Sequence, residues 1–356
     1  MKKLKVKLKN HRYFIYYKKN LLNEDFIVRF CKSISSSIVI ITHKKIENLY
    51  GKVLLEKFSK NNVKIKLLSF EEGEINKNRK TKEYLEDQML KNNFGKDTLI
   101  IALGGGIVSD ISGFIASTYM RGISYVIIPT TLLAMVDAAI GGKTAVNISL
   151  GKNLIGTIYH PKAVFIDFDV LKTLDKKEIK NGLVEMLKHA LIMSKKVFYD
   201  LLESREITEN QIMKSIKIKR KVIQKDETDS SFRRILNFGH TIAHAIEASL
   251  NFQISHGQAL AFGILIESHL SYVMNFLPKS QFEKILYFLK KKNLLYSLPE
   301  ISQERFFAFL KRDKKNIFCE TRFVLLKYIG KSINNVGIIK NHIVKSIIFC
   351  LEDKLC

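Results

Sequence analysis

The residues best suited to chemistry lie in the second half of the chain. His240 and His244 stand four apart in His240-Thr-Ile-Ala-His244, a helical spacing that lets both imidazoles face one ion, and His256 follows in Ser255-His256-Gly257. Thr241 occupies the place where a zinc protease needs glutamate, so the H-E-x-x-H reading is excluded. Glu185 and Lys188 are three apart, hence on one helix face, beside His189. A lone histidine on a helix is most often a satisfied core or surface residue. Three within seventeen positions, with a carboxylate available, argue for a His/Glu metal site against that plainer alternative. Basic and amide groups precede the cluster at Lys219, Arg233 and Asn237.

The first half offers glycine-rich turns instead. Gly104-Gly105-Gly106-Ile107-Val108-Ser109-Asp110 follows an apolar run and opens a helical stretch. Glycines there let the backbone approach a ligand, and the free N–H groups of the next helix favour an anion such as a pyrophosphate. The G-x-G-x-x-G spacing is missing, so a tight strand-to-helix turn is the competing reading. Pro129-Thr130-Thr131 places hydroxyls to bind a ligand or, more simply, to cap a helix. Gly141-Gly142-Lys143-Thr144 resembles the tail of a P-loop, but Asp137 stands where the upstream glycine belongs, and the NTPase reading fails. Gly151-Lys152-Asn153 repeats the theme of glycine beside a cation.

These residues need elements to hold them. Ser37–Thr42, Val63–Leu68, Thr98–Leu103, Tyr125–Ile128 and Ala163–Ile166 read as buried strands, and Glu47–Asn61 and Lys82–Lys91 as helices between them. Such alternation predicts a mostly parallel sheet covered on both faces, with ligands beyond the C-terminal strand ends. From about Leu174 long amphipathic runs take over: Glu178–Leu202, Gln211–Gln224, Thr241–Leu250, Gly257–Asn275 and Ser280–Lys291. The expected fold class is α/β, with a parallel-sheet nucleotide-binding domain over 1–174 and a mainly α-helical metal- and substrate-binding domain over 175–356. A cleft between the halves is the expected site.

The chain has 356 residues, enough for about two domains, and 46% of them are hydrophobic, which excludes a disordered polypeptide. Its 59 Lys+Arg against 34 Asp+Glu give a formal charge of +25. That excess fits nucleic acid, an acidic membrane surface, small anionic substrates, or a compositional bias toward Lys, Ile and Asn. No nucleic-acid-binding module or aromatic-basic repeat accompanies it. Cys31, Cys319, Cys350 and Cys356 are too few and scattered for a disulfide framework, so a reducing cytoplasm is expected. The opening residues alternate basic and apolar, as in a strand rather than a secretion signal. Tyr125–Ala139 is interrupted by Pro129, Thr130, Thr131 and Asp137, so no membrane span is expected.

Taken together, the turn from Gly104 to Asp110, Pro129-Thr-Thr131, Asp137-x3-Gly-Gly-Lys143-Thr-Ala, Leu150-Gly-Lys-Asn-Leu-Ile-Gly156, Glu185-x-x-Lys188, Asn237-Phe-Gly-His240-Thr241 and Ser255-His-Gly257 resemble the 3-dehydroquinate synthase family. They occur in the family's order and spacing from about Glu72 to Lys315. The resemblance implies a lyase of the shikimate pathway, which leads to aromatic amino acids, dependent on NAD and a divalent metal, Zn or Co, and usually homodimeric. It implies Glu185, His240 and His256 as metal ligands and His244 as a proton relay, whereas spacing alone pairs His240 with His244. The implied nucleotide set is Glu72, Gly73, Glu74, Ile75, Asn76 and Lys77, then Gly105, Gly106, Ile107, Val108, Ser109 and Asp110, then Thr130, Thr131, Lys143 and Lys152. Val170, Leu171, Lys172, Thr173 and Asn181 complete it. The implied substrate and catalytic set is Arg121, Asp137, Lys143, Asn153, Lys188, Lys219, Asp229, Arg233, Asn237 and Lys314, with Lys315 alongside the last.

The implied reaction turns 3-deoxy-D-arabino-heptulosonate 7-phosphate into 3-dehydroquinate and phosphate. Transient oxidation of a hydroxyl to a ketone acidifies the neighbouring C–H, elimination follows, and re-reduction with aldol closure ends the cycle without net redox change. An anionic sugar phosphate suits a cationic site. The alternatives are another sugar phosphate cyclase, a glycerol-dehydrogenase-like oxidoreductase, or a basic nucleic-acid binder. Three positions depart from the family pattern: Ser109 for glycine, Glu72 for aspartate and Asp229 for glutamate. The loop Thr42-His43-Lys44-Lys45 lacks the usual acidic residue beside the nucleotide.

Overall fold

The structure is a computed structural model that describes residues 1–149, 151–311 and 321–352. The chain divides into two compact units, Met1–Ile179 and Lys180–Cys356.

The first unit opens with the antiparallel pair β1 (Lys2–Lys7) and β2 (Arg12–Lys18), then α1 (Phe26–Lys32) and β3 (Ser37–His43). A short turn, α2 (Lys44–Ile46), leads through a π-helical turn at Glu47–Gly51 into α3 (Lys52–Ser59) and β4 (Lys64–Phe70). There follow α4 (Arg79–Lys91), β5 (Leu99–Gly104), α5 (Gly106–Thr118) and β6 (Ser124–Pro129). The hairpin of β7 (Lys143–Ile148) and β8 (Gly151–Ile158) and then β9 (Ala163–Asp167) complete the set. Seven strands form one sheet in the order β1-β2-β9-β6-β5-β3-β4, parallel except for β1 against β2. Central β3 and β5 are buried almost end to end, which is why Ser37–Thr42 and Leu99–Leu103 read as unbroken apolar runs rather than alternating ones. Their side chains pack in a core with Phe58, Val126, Ile128 and Phe165. The edge strands β1 and β4 instead alternate buried positions with exposed Lys3, Lys5, Lys7, Lys64 and Lys66.

Sheet order fixes where a ligand belongs. From β3 the chain steps outward to β4, whereas from β5 it steps the other way to β6 and β9, so the order reverses between neighbours β3 and β5. Open parallel sheets bind ligands at such a switch point, beyond the C-terminal strand ends. Those ends carry Thr42 and His43 on β3 and Gly104 on β5.

The second unit is mainly helical. It contains α6 (Lys176–Met193) from Lys180 onward, α7 (Lys195–Glu203), α8 (Glu209–Lys225), α9 (His240–Ser249), α10 (His256–Val273), α11 (Lys279–Lys291), α12 (Gln303–Lys311) and α13 (Lys340–Glu352). One hairpin, β10 (Thr321–Tyr328) with β11 (Lys331–Ile338), joins them. The run expected from Glu178 to Leu202 is two helices, because the Ser194 hydroxyl accepts the Val197 N–H and starts a new one. The α10 helix begins with a capping box in which Ser255 and Gln258 satisfy each other's backbone N–H. No described helix is long and apolar enough to cross a membrane.

Candidate active site

In the first unit the switch-point turn is tied together by Gly104. A Cβ there would lie 2.5 Å from Val108 Cγ2, so only glycine lets α5 start so close to β5. The Gly104 carbonyl accepts the Thr130 N–H at 2.9 Å, bringing the Pro129-Thr130-Thr131 turn beside the glycines. Thr131 Oγ1 accepts the Ala134 N–H at 3.1 Å, a helix cap. Thr130 and Thr42 are buried, and their hydroxyls have no hydrogen-bond partner among the described residues. A buried unpartnered hydroxyl is costly, and two of them near the switch point, with the open N-terminus of α5, fit a polar nucleotide there.

Beside the turn, Lys77 is 5% exposed, and its ammonium lies 2.5 Å from both Asp110 Oδ2 and Asn153 Oδ1. Burial raises the Asp110 pKa, and the Lys77 charge opposes that rise. Asn147, which the sequence reading did not single out, donates from Nδ2 to Glu74 Oε1 at 2.8 Å and accepts the Asn153 N–H at 3.0 Å. It therefore ties the 73–77 segment to the β7–β8 hairpin, which carries Lys143, Lys152 and Asn153. Lys152 lies 3.8 Å from Glu74 Oε1. Gly105, Gly106, Ile107, Val108 and Ser109 form the first turn of α5 and its cap, and the Ser109 hydroxyl donates to the Gly105 carbonyl. Glu72 is mostly exposed, 3.9 Å from His43 Nδ1, and the Asn76 side chain donates to its carbonyl. Gly73 has φ +108, and Ile75 is 84% exposed. Arg121, with φ 63, and Asp137 sit in short helical turns, and Val170–Thr173 form most of a 3-10 turn.

The second unit holds the histidine cluster. Glu185 is fully buried on α6, and His240 Nε2 and His256 Nε2 lie 3.5 and 3.3 Å from its Oε1. One donor atom from each of the three falls within 4.8 Å of the others. His240 Nδ1 is 3.2 Å from the Phe238 carbonyl, which only accepts, so the proton sits on Nδ1 and the Nε2 lone pair faces inward. His256 Nδ1 lies 3.6 Å from the buried carboxylate of Glu247. Two imidazoles and a carboxylate, with outer acceptors fixing the ring tautomers, form a donor set suited to a zinc-like divalent cation. Lys188 reaches Glu185 Oε2 at 2.6 Å. Burial works to raise the Glu185 pKa, but the Lys188 charge and the two imidazoles at its Oε1 outweigh it and hold the group well below the usual range. Burial and the Lys188 charge depress His240 to about 3, while Glu185 and Glu247 overcome burial and raise His256 to about 10.

His244, one turn beyond His240, is exposed, and its ring centroid lies 5.4 Å from that of His240. The i, i+4 spacing alone does not aim both rings at Glu185. Lys219 and Arg233 are buried cations at 5% and 3% exposure. Arg233 is held by a loop built on Asp226, a residue the sequence reading passed over. Asp226 Oδ2 accepts the N–H groups of Ser231 and Arg233 at 2.7 and 2.9 Å, and Arg233 Nη1 donates to the Glu227 carbonyl at 2.6 Å. Asp229 lies in the same loop with left-handed φ 62, and Asn237 ends the 3-10 turn before α9. Asn181 belongs to this unit, whereas the other nucleotide candidates belong to the first, and its Oδ1 accepts from Ser255 Oγ at 2.8 Å. Lys314 falls outside the described residues. The carboxylates among these could have been suspected from their positions: Glu247 follows His240 by two turns, and Asp226 ends a helix before a polar loop.

Residues 67–181 match the family described as 3-dehydroquinate synthase N-terminal, and residues 182–316 its C-terminal counterpart. The 3-dehydroquinate synthase of Thermodesulfovibrio yellowstonii is 40% identical over 344 residues, covering 93% of this chain and 95% of that protein. That of Clostridium botulinum (strain Alaska E43 / Type E3) is 38% identical, covering 93% and 97%. Among solved structures, 2-epi-5-epi-valiolone synthase from Streptomyces hygroscopicus subsp. jinggangensis 5008, with NAD+ and Zn2+ bound, superposes with a TM-score of 0.88 at 26% identity, covering 98% of this chain and 99% of that one.

Proposed function

Because this chain belongs to the 3-dehydroquinate synthase family, we propose that it converts 3-deoxy-D-arabino-heptulosonate 7-phosphate to 3-dehydroquinate and phosphate, in the cytoplasm and as a homodimer. The observation that carries this reading is the Glu185, His240 and His256 donor set in a chain matched by the family over both halves. The chemistry expected of bound NAD and a divalent cation there is reversible hydride acceptance and polarisation of a substrate oxygen.

The residues supply the rest. Glu185, His240 and His256 would hold the cation, and the hydrogen bonds from buried Lys77 to Asp110 and Asn153 would fix the nucleotide segment against the β7–β8 hairpin. Lys188, Lys219 and Arg233 place buried positive charge in the helical unit, suited to a phosphate or carboxylate, and the guanidinium can meet either with two parallel N–H donors. His244 is exposed on α9, where its imidazole can pass a proton to or from a substrate oxygen. Lys143, Arg121, Asp137, Asn237, Asp229 and Lys314 are proposed substrate or proton-transfer contacts on the family pattern.

A phosphate-release assay tests the proposal. Release from the heptulosonate phosphate should need NAD, stop on chelation and return with zinc or cobalt, without net NADH. Accumulating NADH would point to a dehydrogenase. The likeness to 2-epi-5-epi-valiolone synthase favours one second reading, a cyclase for a different sugar phosphate. Turnover of another sugar phosphate but not of the heptulosonate would establish it.

A further inference from the structure

Two buried carboxylates outside the donor trio link α9 and α10, the helices that carry the histidines. Glu267, with no exposed surface, accepts the Gly239 N–H on Oε2 at 2.6 Å and the Ile242 N–H on Oε1 at 3.3 Å. It thereby grips the first turn of α9 on both sides of His240, placing negative charge at a helix N-terminus. Glu267 lies eleven residues, three turns, along α10 from His256, so both occupy one face. In the opposite sense Glu247 lies seven residues, two turns, along α9 from His240 and faces His256 Nδ1 at 3.6 Å. Each helix thus carries one of the two donor histidines and a carboxylate that supports the other, Glu247 at the His256 ring and Glu267 at the backbone flanking His240. Between them the backbones touch: a Cβ on Gly263 would lie 1.9 Å from the Gly239 carbonyl oxygen, leaving no room for the helices to shift closer.

We propose that Glu247 and Glu267 are positioning residues, a reciprocal clamp that presets the separation of His240 and His256 for a divalent cation. The clamp rests on the metal reading above, which assigns the three donors and uses Glu247 only as the acceptor for the His256 ring. Glu267 acts through the backbone and Glu247 through the imidazole, so neither needs to touch the ion.

The test uses the full-length protein, stripped of metal and titrated with zinc against a chromophoric chelator, and with cobalt by visible absorption. Glu247→Gln keeps the shape and removes the charge. Glu267→Gln turns an amide toward backbone N–H groups that need an acceptor. Each should weaken zinc binding 10- to 100-fold and alter the cobalt spectrum, the usual consequence of losing an outer-shell partner. Ser271→Ala is the control: its hydroxyl accepts the Leu326 N–H at 2.9 Å and donates to the Glu267 backbone carbonyl at 2.6 Å rather than to the carboxylate, so its loss should lower stability and leave metal affinity unchanged. If Glu267→Gln does not fold, Glu267→Asp, which keeps the charge but withdraws it by one methylene, replaces it with the same expectation. Affinity within threefold of wild type in either position, or an equal loss in the Ser271 control, overturns the clamp. Failure of the wild-type protein to bind zinc or cobalt overturns the metal reading instead.

Discussion

Asp226 gives a sharp quantitative test, because one carboxylate organises the whole loop around Arg233. Oδ1 accepts from Ser230 N and Oγ at 3.0 and 3.1 Å, and Oδ2 accepts from Ser231 N and Arg233 N at 2.7 and 2.9 Å. In Asp226→Asn one oxygen remains, and the new NH2 must face donors. A hydrogen bond to a charged group contributes about 1.5–3 kcal/mol, and a buried donor left unpaired costs about 1–3 kcal/mol. Only the Arg233 N–H is fully buried, so the expected loss is about 3 kcal/mol, roughly a hundredfold in the unfolding equilibrium. The chain has no tryptophan, so urea unfolding is best followed by circular dichroism. Burial alone would raise the pKa of Asp226, but the backbone N–H groups of Arg233, Ser231 and Ser230 outweigh it and depress it well below the ordinary 3.8. A depressed carboxylate stabilises fully above its unfolded pKa and loses that contribution as pH falls through the folded one. The difference between wild type and variant should therefore be flat from pH 5 to 8 and shrink below about pH 4. The Michaelis constant should rise as Arg233 loses its support, with zinc affinity unchanged. A stability loss under about 1 kcal/mol at pH 7 would refute this account of the loop.

Two further outcomes follow from buried groups elsewhere. His269 is 5% exposed, bonded through Nδ1 to Ser346 Oγ at 3.0 Å and stacked on Phe349, and burial depresses it to about 4. The unfolded chain then takes up a proton that the folded one refuses, so stability should fall by up to about 3 kcal/mol between pH 6.5 and 4, and His269→Phe should flatten that slope; an unchanged slope would count against it. Gly104→Ala should cost about 1–3 kcal/mol by overpacking against Val108 and weaken NAD binding at least tenfold by calorimetry, with partial recovery on adding Val108→Ala.

How much of this was legible in the sequence depended on whether the signal was local. Ser37–Thr42 and Thr98–Leu103 announce central strands because burial on both faces demands unbroken β-branched runs, and the observed β3 and β5 differ from them by a residue or so. The β7–β8 hairpin and the β10–β11 hairpin gave no such signal. Burial along β7, β8 and β11 is irregular and both pairs carry register shifts, so no alternation marks them, and the short buried run Phe323–Leu326 of β10 stands alone in a helical half. In the helical unit, spacing drew attention to His240 and His244, which share a helix. The meeting of His240 and His256 at Glu185 depends on how three helices pack, and no i, i+4 rule contains that. Asn147 and Glu267 were illegible for the same reason: an amide in a strand and a lone carboxylate in an apolar helix acquire meaning only from partners 73 and 28 positions away.

The two outer strands of the large sheet bear on how copies of the chain can meet. β1 exposes Lys3, Lys5 and Lys7, and β4 exposes Lys64 and Lys66. Pairing two such rims from different molecules would set rows of ammonium groups against each other, the charge device by which sheet proteins discourage end-to-end growth. Self-association by continuing the sheet from one copy into the next is therefore disfavoured along both edges. High salt, by screening those lysines, is the condition under which unwanted sheet-to-sheet aggregation should first emerge.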